Sequence, residues 1–369
     1  MKLSVWVTRN CNMNCSYCYE DGVERCDVPI EEDVYIKKCI EFINSTCHRT
    51  SSKKLFLKFF GGEPLLKYPF IKKFVREINE KVSSEIRVFY SITTNGTLMN
   101  DEIIDWFKEN RVECALSIDG SERVYSINRH YKNGDSSWNT IDALIPKLVD
   151  KGLKLSARAT YNSKTADSLY ESVTYLVDRG FTILKVVPDY FDLNWSPDII
   201  PILKKQIEQI YHLESTYPAL QINLDDDNLF IGRKGCAGGY SMFSLDRNGD
   251  IYPCTYVVDN SSFVIGNIFD TCDIPLRYTD GSNLQRPSCI GCRYYKCCKS
   301  AECLYGNYMM SGTFEDVNEF FCSYRKILYE LDIEIKGYGC DDDCEQYFEK
   351  ANAEMGCGWD ETDNTIPLW

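Results

Sequence analysis

"CNMNCSYCYE", residues 11–20, sets three cysteines in one short stretch: Cys11, Cys15 and Cys18, with gaps of three and then two residues. Thiolates this close converge on one soft metal centre when a tight loop turns them inward. The stretch supplies three ligands and stops, which leaves one coordination position of the centre for something else.

The sequence around this loop alternates short apolar runs with longer amphipathic ones. "LSVWVT" (3–8), "KLFLKFF" (54–60), "IRVFYSITTN" (86–95), "VECALSID" (112–119), "LKLSARATY" (153–161) and "FTILKVV" (181–187) read as buried strands bounded by turn formers. Between them, "EEDVYIKKCIEFINS", "YPFIKKFVREINEKV", "NDEIIDWFKEN", "WNTIDALIPKLVDKG" and "DSLYESVTYLVDRG" carry helical periodicity, and "PDIIPILKKQIEQIYHLE" continues it after the last strand. Gly152 and Gly180 stand where a left-handed cap ends two of these helices. Six strand–helix repeats predict an α/β chain with a parallel sheet, either doubly wound or a complete or partial barrel. In both architectures ligands sit at the C-terminal ends of the strands. The unusual sequences lie there: the cysteine loop after the first strand, then "FFGGEP" (59–64), "TTNGTL" (93–98) and "SIDG" (117–120), with Arg158 in the fifth strand.

Composition narrows the classes. The chain has 369 residues, 44% of them apolar, enough for one large core and a smaller companion domain. "MKLSVWVTRN" is too short and too polar for a signal peptide or a membrane span. A cytoplasmic protein is expected, with no membrane partner. Nineteen cysteines in a reducing compartment read as metal ligands before disulfides, although Cys26, Cys39, Cys47 and Cys114 read as small buried thiols. The net charge is −14, and from Asp332 to Trp369 eleven acidic residues face Lys336 and Lys350, a local net of −9. No basic stripe exists to neutralise phosphates, so nucleic-acid binding is excluded.

Together "CNMNCSYC", "GGEP", "TNGTL" and "SIDGSERVYSINRHYKNGDSSW" resemble the radical S-adenosylmethionine (radical SAM) superfamily, whose core is a partial (β/α)6 TIM-like barrel. The resemblance covers residues 1–225. It implies that Cys11, Cys15 and Cys18 bind a [4Fe-4S] cluster whose open iron takes the amino and carboxylate groups of S-adenosyl-L-methionine. One electron from the cluster then splits that cofactor to a 5'-deoxyadenosyl radical. Gly61 and Gly62 would let the backbone approach the methionyl amino group, with Glu63 as its acceptor. Thr94 and Asn95 fall in the third strand-end motif and join the expected cofactor site. Ser117 and Arg158 are candidates for the ribose and the carboxylate; a buried structural ion pair is the other reading of Arg158. Tyr17 resembles the family's aromatic beside adenine, or packs in the core.

The second half carries "CAGGYSMFSLDRNGDIYPC", in which Cys236, Gly249 and Cys254 form C-x12-G-x4-C, and "CIGCRYYKCCKSAEC", with Cys289, Cys292, Cys297, Cys298 and Cys303, followed by Cys322. This order resembles the SPASM extension of radical SAM enzymes, which binds two auxiliary [4Fe-4S] clusters. The implied domains are a radical SAM core (1–225), a Cys-rich SPASM domain (226–335) and an acidic tail (336–369). Carried over, the first auxiliary cluster uses Cys236, Cys254 and Cys303; the second uses Cys289, Cys292, Cys298 and Cys322. Cys298 and Cys303 stand one residue further apart than the family pattern, so Cys297 competes with Cys298. The first auxiliary set lacks a fourth cysteine; an Asp of 225–227, another residue or the substrate fills it. Zinc fits such C-x2-C pairs as well, but seven cysteines in this order beside the core favour iron–sulfur. Cys272, Cys340, Cys344 and Cys357 fall outside the pattern.

The resemblance implies an oxidoreductase acting on a peptide or protein, fed by a one-electron donor such as flavodoxin or ferredoxin. Its members install thioether or carbon–carbon cross-links in ribosomally made peptides, or convert a Cys or Ser of a sulfatase to formylglycine. The sulfatase maturases keep an aspartate after the cysteine of the G-x4-C segment, where this chain has Thr255. The expectation is therefore a cross-linking peptide maturase, with formylglycine formation as the alternative. The cysteine motif begins at residue 11, so substrate recognition is expected to fall to a separate leader-peptide-binding protein, to the barrel and SPASM surfaces, or to the acidic tail. Tyr190, Asp192 and Trp195, after the sixth strand, are substrate contacts by location.

Overall fold

The computed structural model describes residues 1–20, 29–224, 236–271, 273–276, 286–295, 298 and 303–337. Cys26, Asp225–Asp227, Cys272, Cys297, Cys340, Cys344, Cys357 and the acidic tail beyond residue 337 lie outside the described residues. The chain forms two compact units, one of Met1–Ala159, Thr174–Ile183 and Ala237–Thr279, the other of Thr160–Val173, Leu184–Cys236 and the chain from Asp280.

The first unit is built on a parallel sheet. Strands β1 (Lys2–Thr8), β2 (Lys54–Gly61), β3 (Arg87–Thr94), β4 (Val112–Ser117) and β5 (Leu155–Tyr161) lie side by side in chain order, with Val5 opposite Phe59, Lys58 opposite Ser91, Thr93 opposite Ala115 and Ser117 opposite Arg158. Helices α1 (Glu32–Arg49), α2 (Tyr68–Lys81), α3 (Asp101–Glu109), α4 (Glu122–Asn128) and α5 (Trp138–Asp150) fill the connections. The alternation along β2 identifies the two faces: Leu55, Leu57 and Phe59 are buried, while Phe56, Lys58 and Phe60 are half-buried. Burying each of those three large side chains is worth about 1.5–3 kcal/mol against leaving it exposed. The other face is only partly covered along its polar and aromatic residues, where Phe56 stacks on Phe89 and Phe60 packs against Trp6.

Helix ends follow local chemistry. Glu31 caps α1 by accepting from the Val34 amide, and Asn100 caps α3 by accepting from the Ile103 amide at 2.9 Å. The expected left-handed glycines close α5 and α6 (Leu169–Asp178): φ is +61° at Gly152 and +92° at Gly180.

One feature of this unit was not foreseen. Strand β8 (Met242–Leu245), from the cysteine-rich half of the sequence, pairs in parallel with β1, Leu245 lying opposite Val5, and β9 (Asp250–Tyr252) and β10 (Gly266–Asn267) extend the edge as an antiparallel ribbon. "MFSL" and "DIY" are short, and the turn between them reads as a local hairpin; nothing in their periodicity names a partner some 240 residues away.

In the second unit, β6 (Ile183–Pro188), α7 (Ile199–Thr216), β7 (Gln221–Asn223), α8 (Leu304–Ser311) and α9 (Glu319–Lys336) are the regular elements. Helices α7 and α9 meet through Lys204 and Glu330 at 3.0 Å, and Tyr324 donates its hydroxyl to the Leu224 carbonyl. Asn318 caps α9 by accepting from the Phe321 amide at 3.1 Å. In the loop after β6, the Trp195 indole donates to the Asp189 carbonyl at 2.7 Å and stacks on Phe320, centroids 4.0 Å apart, while Tyr190 sits edge-on to Phe321.

Candidate active site

The exit of β2 clamps the start of the cysteine loop. The Gly62 amide donates to the Thr8 carbonyl at 3.0 Å and the Glu63 amide to the Asn10 carbonyl at 2.8 Å. A Cβ on Gly61 would stand 2.2 Å from the Thr8 oxygen, and one on Gly62 2.3 Å from the Asn10 oxygen. The two glycines are thus required by chain packing against the loop that carries the thiols, whatever else approaches them.

The loop itself is zipped to the segment after α4. Asn14 and Ser16 donate their amides to the carbonyls of His130 (2.8 Å) and Asn128 (2.9 Å), the Ser16 hydroxyl donates to Asn128 Oδ1 at 2.6 Å, and Met13 bridges Tyr131 antiparallel. Met13 is buried, whereas Cys11, Cys15 and Cys18 are each half-buried and free of disulfides. The three thiols lie in one another's field. Burial pushes Cys15 up to about 11; Arg129 opposes this, and Asp119, Cys18 and Cys11 add to it.

Glu63, Thr94 and Asn95 belong to the same network. Glu63 Oε1 accepts from Thr94 Oγ1 at 2.7 Å and from the Leu65 amide at 3.0 Å, and Oε2 accepts from the Asn95 amide at 2.8 Å. Asn95 Nδ2 donates to Asn12 Oδ1 at 2.9 Å, and Asn12 Nδ2 to Thr97 Oγ1 at 2.7 Å, so the ends of β2 and β3 are tied to the residue after Cys11. Full burial pushes the Glu63 carboxyl up to about 7 against the pull of its three donors. Ser117 and Arg158 face each other across β4 and β5, both half-buried, and the Ile118 amide donates to the Arg158 carbonyl at 3.0 Å.

Two groups escaped the sequence reading. Asp119, just past β4, binds Arg129 with both oxygens, from Nε and Nη2 at 2.9 Å each, and also accepts from the Tyr17 hydroxyl. The Arg129 guanidinium lies 5.3 Å from the Tyr17 ring centroid. Tyr17 is thereby tied to the loop's own anchor. Arg9, two residues ahead of Cys11, is 5% exposed and meets Asp246 (2.8 and 3.2 Å), Glu20 (3.3 Å) and Asp259. Burial works against its charge, but the carboxylates hold its pKa above the ordinary range. An Asp or Arg at the end of a strand was the available signal for both groups; the partners, far along the chain, were not.

In the second unit, Cys289, Cys292, Cys298 and Cys322 line one pocket together with Tyr294, Tyr295, Arg325, Lys326 and Tyr329. Tyr294 and Tyr329 stack with centroids 5.0 Å apart, and Cys292, Cys298 and Ile333 pack against them. Cys254 lies in the first unit; Cys236 and Cys303, the latter at the start of α8, lie in the second. Among the described residues no three His, Cys, Asp or Glu close on a point as they would around one ion. The donor sets, three thiols and four thiols with no carboxylate among them, suit an iron–sulfur cluster, which spreads its ligands over separate iron corners.

The radical SAM superfamily profile matches residues 6–162, the span that holds the cysteine loop, the Glu63 network and Arg158. Over 281 residues the chain is 33% identical to an uncharacterized protein of Methanocaldococcus jannaschii, covering 73% of this chain and 89% of that one. The chain belongs to the radical SAM superfamily. It is also 23% identical over 318 residues to a cysteine-type anaerobic sulfatase-maturating enzyme of Clostridium novyi (79% of this chain, 84% of the relative), and 26% identical over 345 residues to the radical SAM cyclopropyl synthase TigE of Paramaledivibacter caminithermalis (82% and 69%).

Among solved structures, anSMEcpe with bound AdoMet superposes with a TM-score of 0.76 at 18% identity, covering 90% of this chain and 97% of that one. Streptococcus suis SuiB bound to its precursor peptide SuiA gives 0.62 at 17%, covering 87% and 75%. The architecture is that of the partial TIM-like barrel expected from the motifs. The protein is an enzyme whose family works with a [4Fe-4S] cluster and S-adenosylmethionine. Among the described residues no helix is long and apolar enough to cross a membrane.

Proposed function

We propose that this enzyme is a cytoplasmic maturase that removes hydrogen from a ribosomally synthesised peptide and closes a thioether or carbon–carbon cross-link within it. Cys11, Cys15 and Cys18 would hold the first cluster, the exits of β2 to β5 would seat S-adenosylmethionine, and the cysteines of the SPASM-like half would hold two more clusters. When bound, the cluster and its cofactor supply a carbon-centred radical that takes a hydrogen atom from the substrate. The chain's own side chains fix the loop: the glycines admit it, Glu63 and Asn95 tie it to two strand ends, and Asp119 with Arg129 holds Tyr17 against it.

The observation that carries cross-linking over formylglycine formation is Thr255. It opens a short helical turn, Thr255–Val257, at the position where the sulfatase maturases keep an aspartate, and the next carboxylate along that segment, Asp259, is engaged by Arg9. The sulfatase reading is supported by the likeness to the Clostridium novyi enzyme and to anSMEcpe. A one-electron carrier of the flavodoxin or ferredoxin type and a separate leader-binding protein complete the proposal.

The test is anaerobic incubation of the reconstituted enzyme with two peptides, the one encoded beside its gene and a cysteine-containing sulfatase peptide. Loss of two hydrogens from the first, with no hydrazide-reactive aldehyde in the second, supports the cross-link. An aldehyde in the second, with the first unchanged, overturns it.

A further inference from the structure

Arg9 precedes Cys11 and Glu20 follows Cys18, and the two meet: Arg9 Nη1 donates to Glu20 Oε1 at 3.3 Å, and the same oxygen accepts from the Trp6 indole at 2.9 Å. The pair closes the neck of the cysteine loop. Other edges of the guanidinium are taken by a distant part of the chain. Asp246, just past β8, accepts from Nη2 at 2.8 Å and from Nε at 3.2 Å, and Asp259, five residues after Cys254, accepts from Nη1. Arg247 adds a second tie by donating to the Val7 carbonyl of β1 at 2.7 Å. All of these groups belong to the first unit. One guanidinium thus faces three carboxylates, more than charge balance asks for. Asp259 is the one that stability needs least. Its side chain is 31% exposed; burial works against its charge, Arg9 favours it, and the neighbouring Asp246 works against it again, so its carboxyl sits above the ordinary range. It is nevertheless held in left-handed backbone, at φ +79°. A residue kept in costly backbone, whose charge gains little from folding, points to a function.

We propose that Asp259 is a positioning residue for the first cluster: acting through Arg9, it holds the neck of the cysteine loop at the width at which Cys11, Cys15 and Cys18 meet one [4Fe-4S] cluster. The inference rests on the reading that these three cysteines hold that cluster. Asp246 fixes the plane of the guanidinium through a two-oxygen pair, and Asp259 shares Nη1 with Glu20, which sets how far Arg9 draws the far end of the loop toward β1. The segment that follows Cys254 is by this account a working part of the first site, although Asp259 lies 250 residues from Arg9 in the chain. Neutralising Asp259 leaves Arg9 with Asp246 and Glu20, so no buried charge is stranded and the fold keeps its stability. What changes is the pull on the neck.

The experiment challenges the full-length, cluster-loaded protein with EDTA and then reduces it for electron paramagnetic resonance. The signal abolished by Cys15→Ser reports the first cluster, and the one abolished by Cys292→Ser is the internal reference. Asp259→Asn is the decisive variant, because asparagine keeps the size of the side chain and tolerates the same backbone. It is expected to leave the chemical-denaturation midpoint in place and to lose the Cys15-dependent signal at about tenfold lower EDTA, the lower end of what a supporting residue costs a metal site. The Cys292-dependent signal should survive as in the wild type. Asp273→Asn, which removes an exposed carboxylate of the same unit 3.8 Å from Arg49, is the control and should retain both signals. Wild-type retention of the Cys15-dependent signal in Asp259→Asn overturns the proposal. A fall in its denaturation midpoint, or failure to fold, overturns it too, since either marks a merely structural role. Failure of the underlying reading looks different: the wild-type protein would then show no signal that Cys15→Ser removes, and its iron content would be the same with and without that substitution.

Discussion

Asp119 holds Arg129 through both carboxylate oxygens, at 2.9 Å from Nε and 2.9 Å from Nη2, and Tyr17 of the cysteine loop donates to the same carboxylate. Side chains of both charged partners are nearly inaccessible, at 1% and 7%. Their pairing therefore works in low dielectric, where the loss of one partner strands the other charge. It also fixes Tyr17, and with it the loop between Cys15 and Cys18.

Asp119→Asn is accordingly expected to destabilise the fold by about 3–5 kcal/mol, because Arg129 keeps its charge and loses its anion. Tyr17→Phe removes a single hydrogen bond and should cost about 1 kcal/mol. Chemical denaturation of both variants checks the order. A Tyr17→Phe loss equal to that of Asp119→Asn would mean that the aromatic hydroxyl, not the ion pair, anchors the loop.

Glu63 predicts a pH dependence of stability. Its carboxyl is raised from 4.5 to about 7 by burial, so between those values the folded chain keeps a proton that the unfolded chain has released. Stability from this group is complete below pH 4.5 and is lost as pH rises towards 7. Glu63→Gln cannot titrate, and its stability profile should be flatter across that window than the wild type's. Parallel profiles for the two proteins would contradict the assignment.

The strands themselves and most helices were legible because each strand is a short apolar run and each helix a long amphipathic one, and local spacing encodes both; the side-by-side order of the strands came only with the structure. "GGEP" and "TNGTL" were also legible, since a strand end followed by glycine is a local event. Asp119 with Arg129, and Arg9 with Asp246, were not. Their chemistry depends on a partner brought near by folding, and a lone Asp or Arg in sequence looks like a solvated charge. β8 was missed for the same reason: strand pairing is non-local, and four residues carry too little pattern to name a neighbour.

The glycines allow a graded comparison. Gly61 has φ +142° and a Thr8 oxygen 2.2 Å from its virtual Cβ, Gly62 has no positive φ but clashes with the Asn10 and Arg9 carbonyls, and Gly134 has φ +88° with nothing within 4 Å. Alanine at 134 should cost only the left-handed backbone penalty, roughly 1–2 kcal/mol. Alanine at 62 must move the loop backbone, roughly 1–3 kcal/mol, and alanine at 61 bears both costs. Iron retained after reconstitution should fall in the order 134, 62, 61, since only the last two displace the strand leading into Cys11. Equal iron in all three variants would detach the glycine pair from the cysteine loop.

Pro146 sits inside α5, where its missing N–H leaves the carbonyl of Asp142, four residues earlier, without its helical donor. Arg179 supplies one: its Nη2 lies 2.9 Å from that carbonyl. The accompanying ion pair to the Asp142 side chain is partly exposed, at 29% and 41%, and is worth little by itself. Arg179→Ala should therefore cost about 0.5–1.5 kcal/mol in the natural sequence, the net worth of the hydrogen bond to this part-buried carbonyl. In a Pro146→Ala background the restored amide can take over, and the same Arg179→Ala change should cost only a few tenths of a kcal/mol. The double-mutant cycle isolates the difference. Additive losses would mean that Arg179 acts through its charge and not through the carbonyl the proline leaves open.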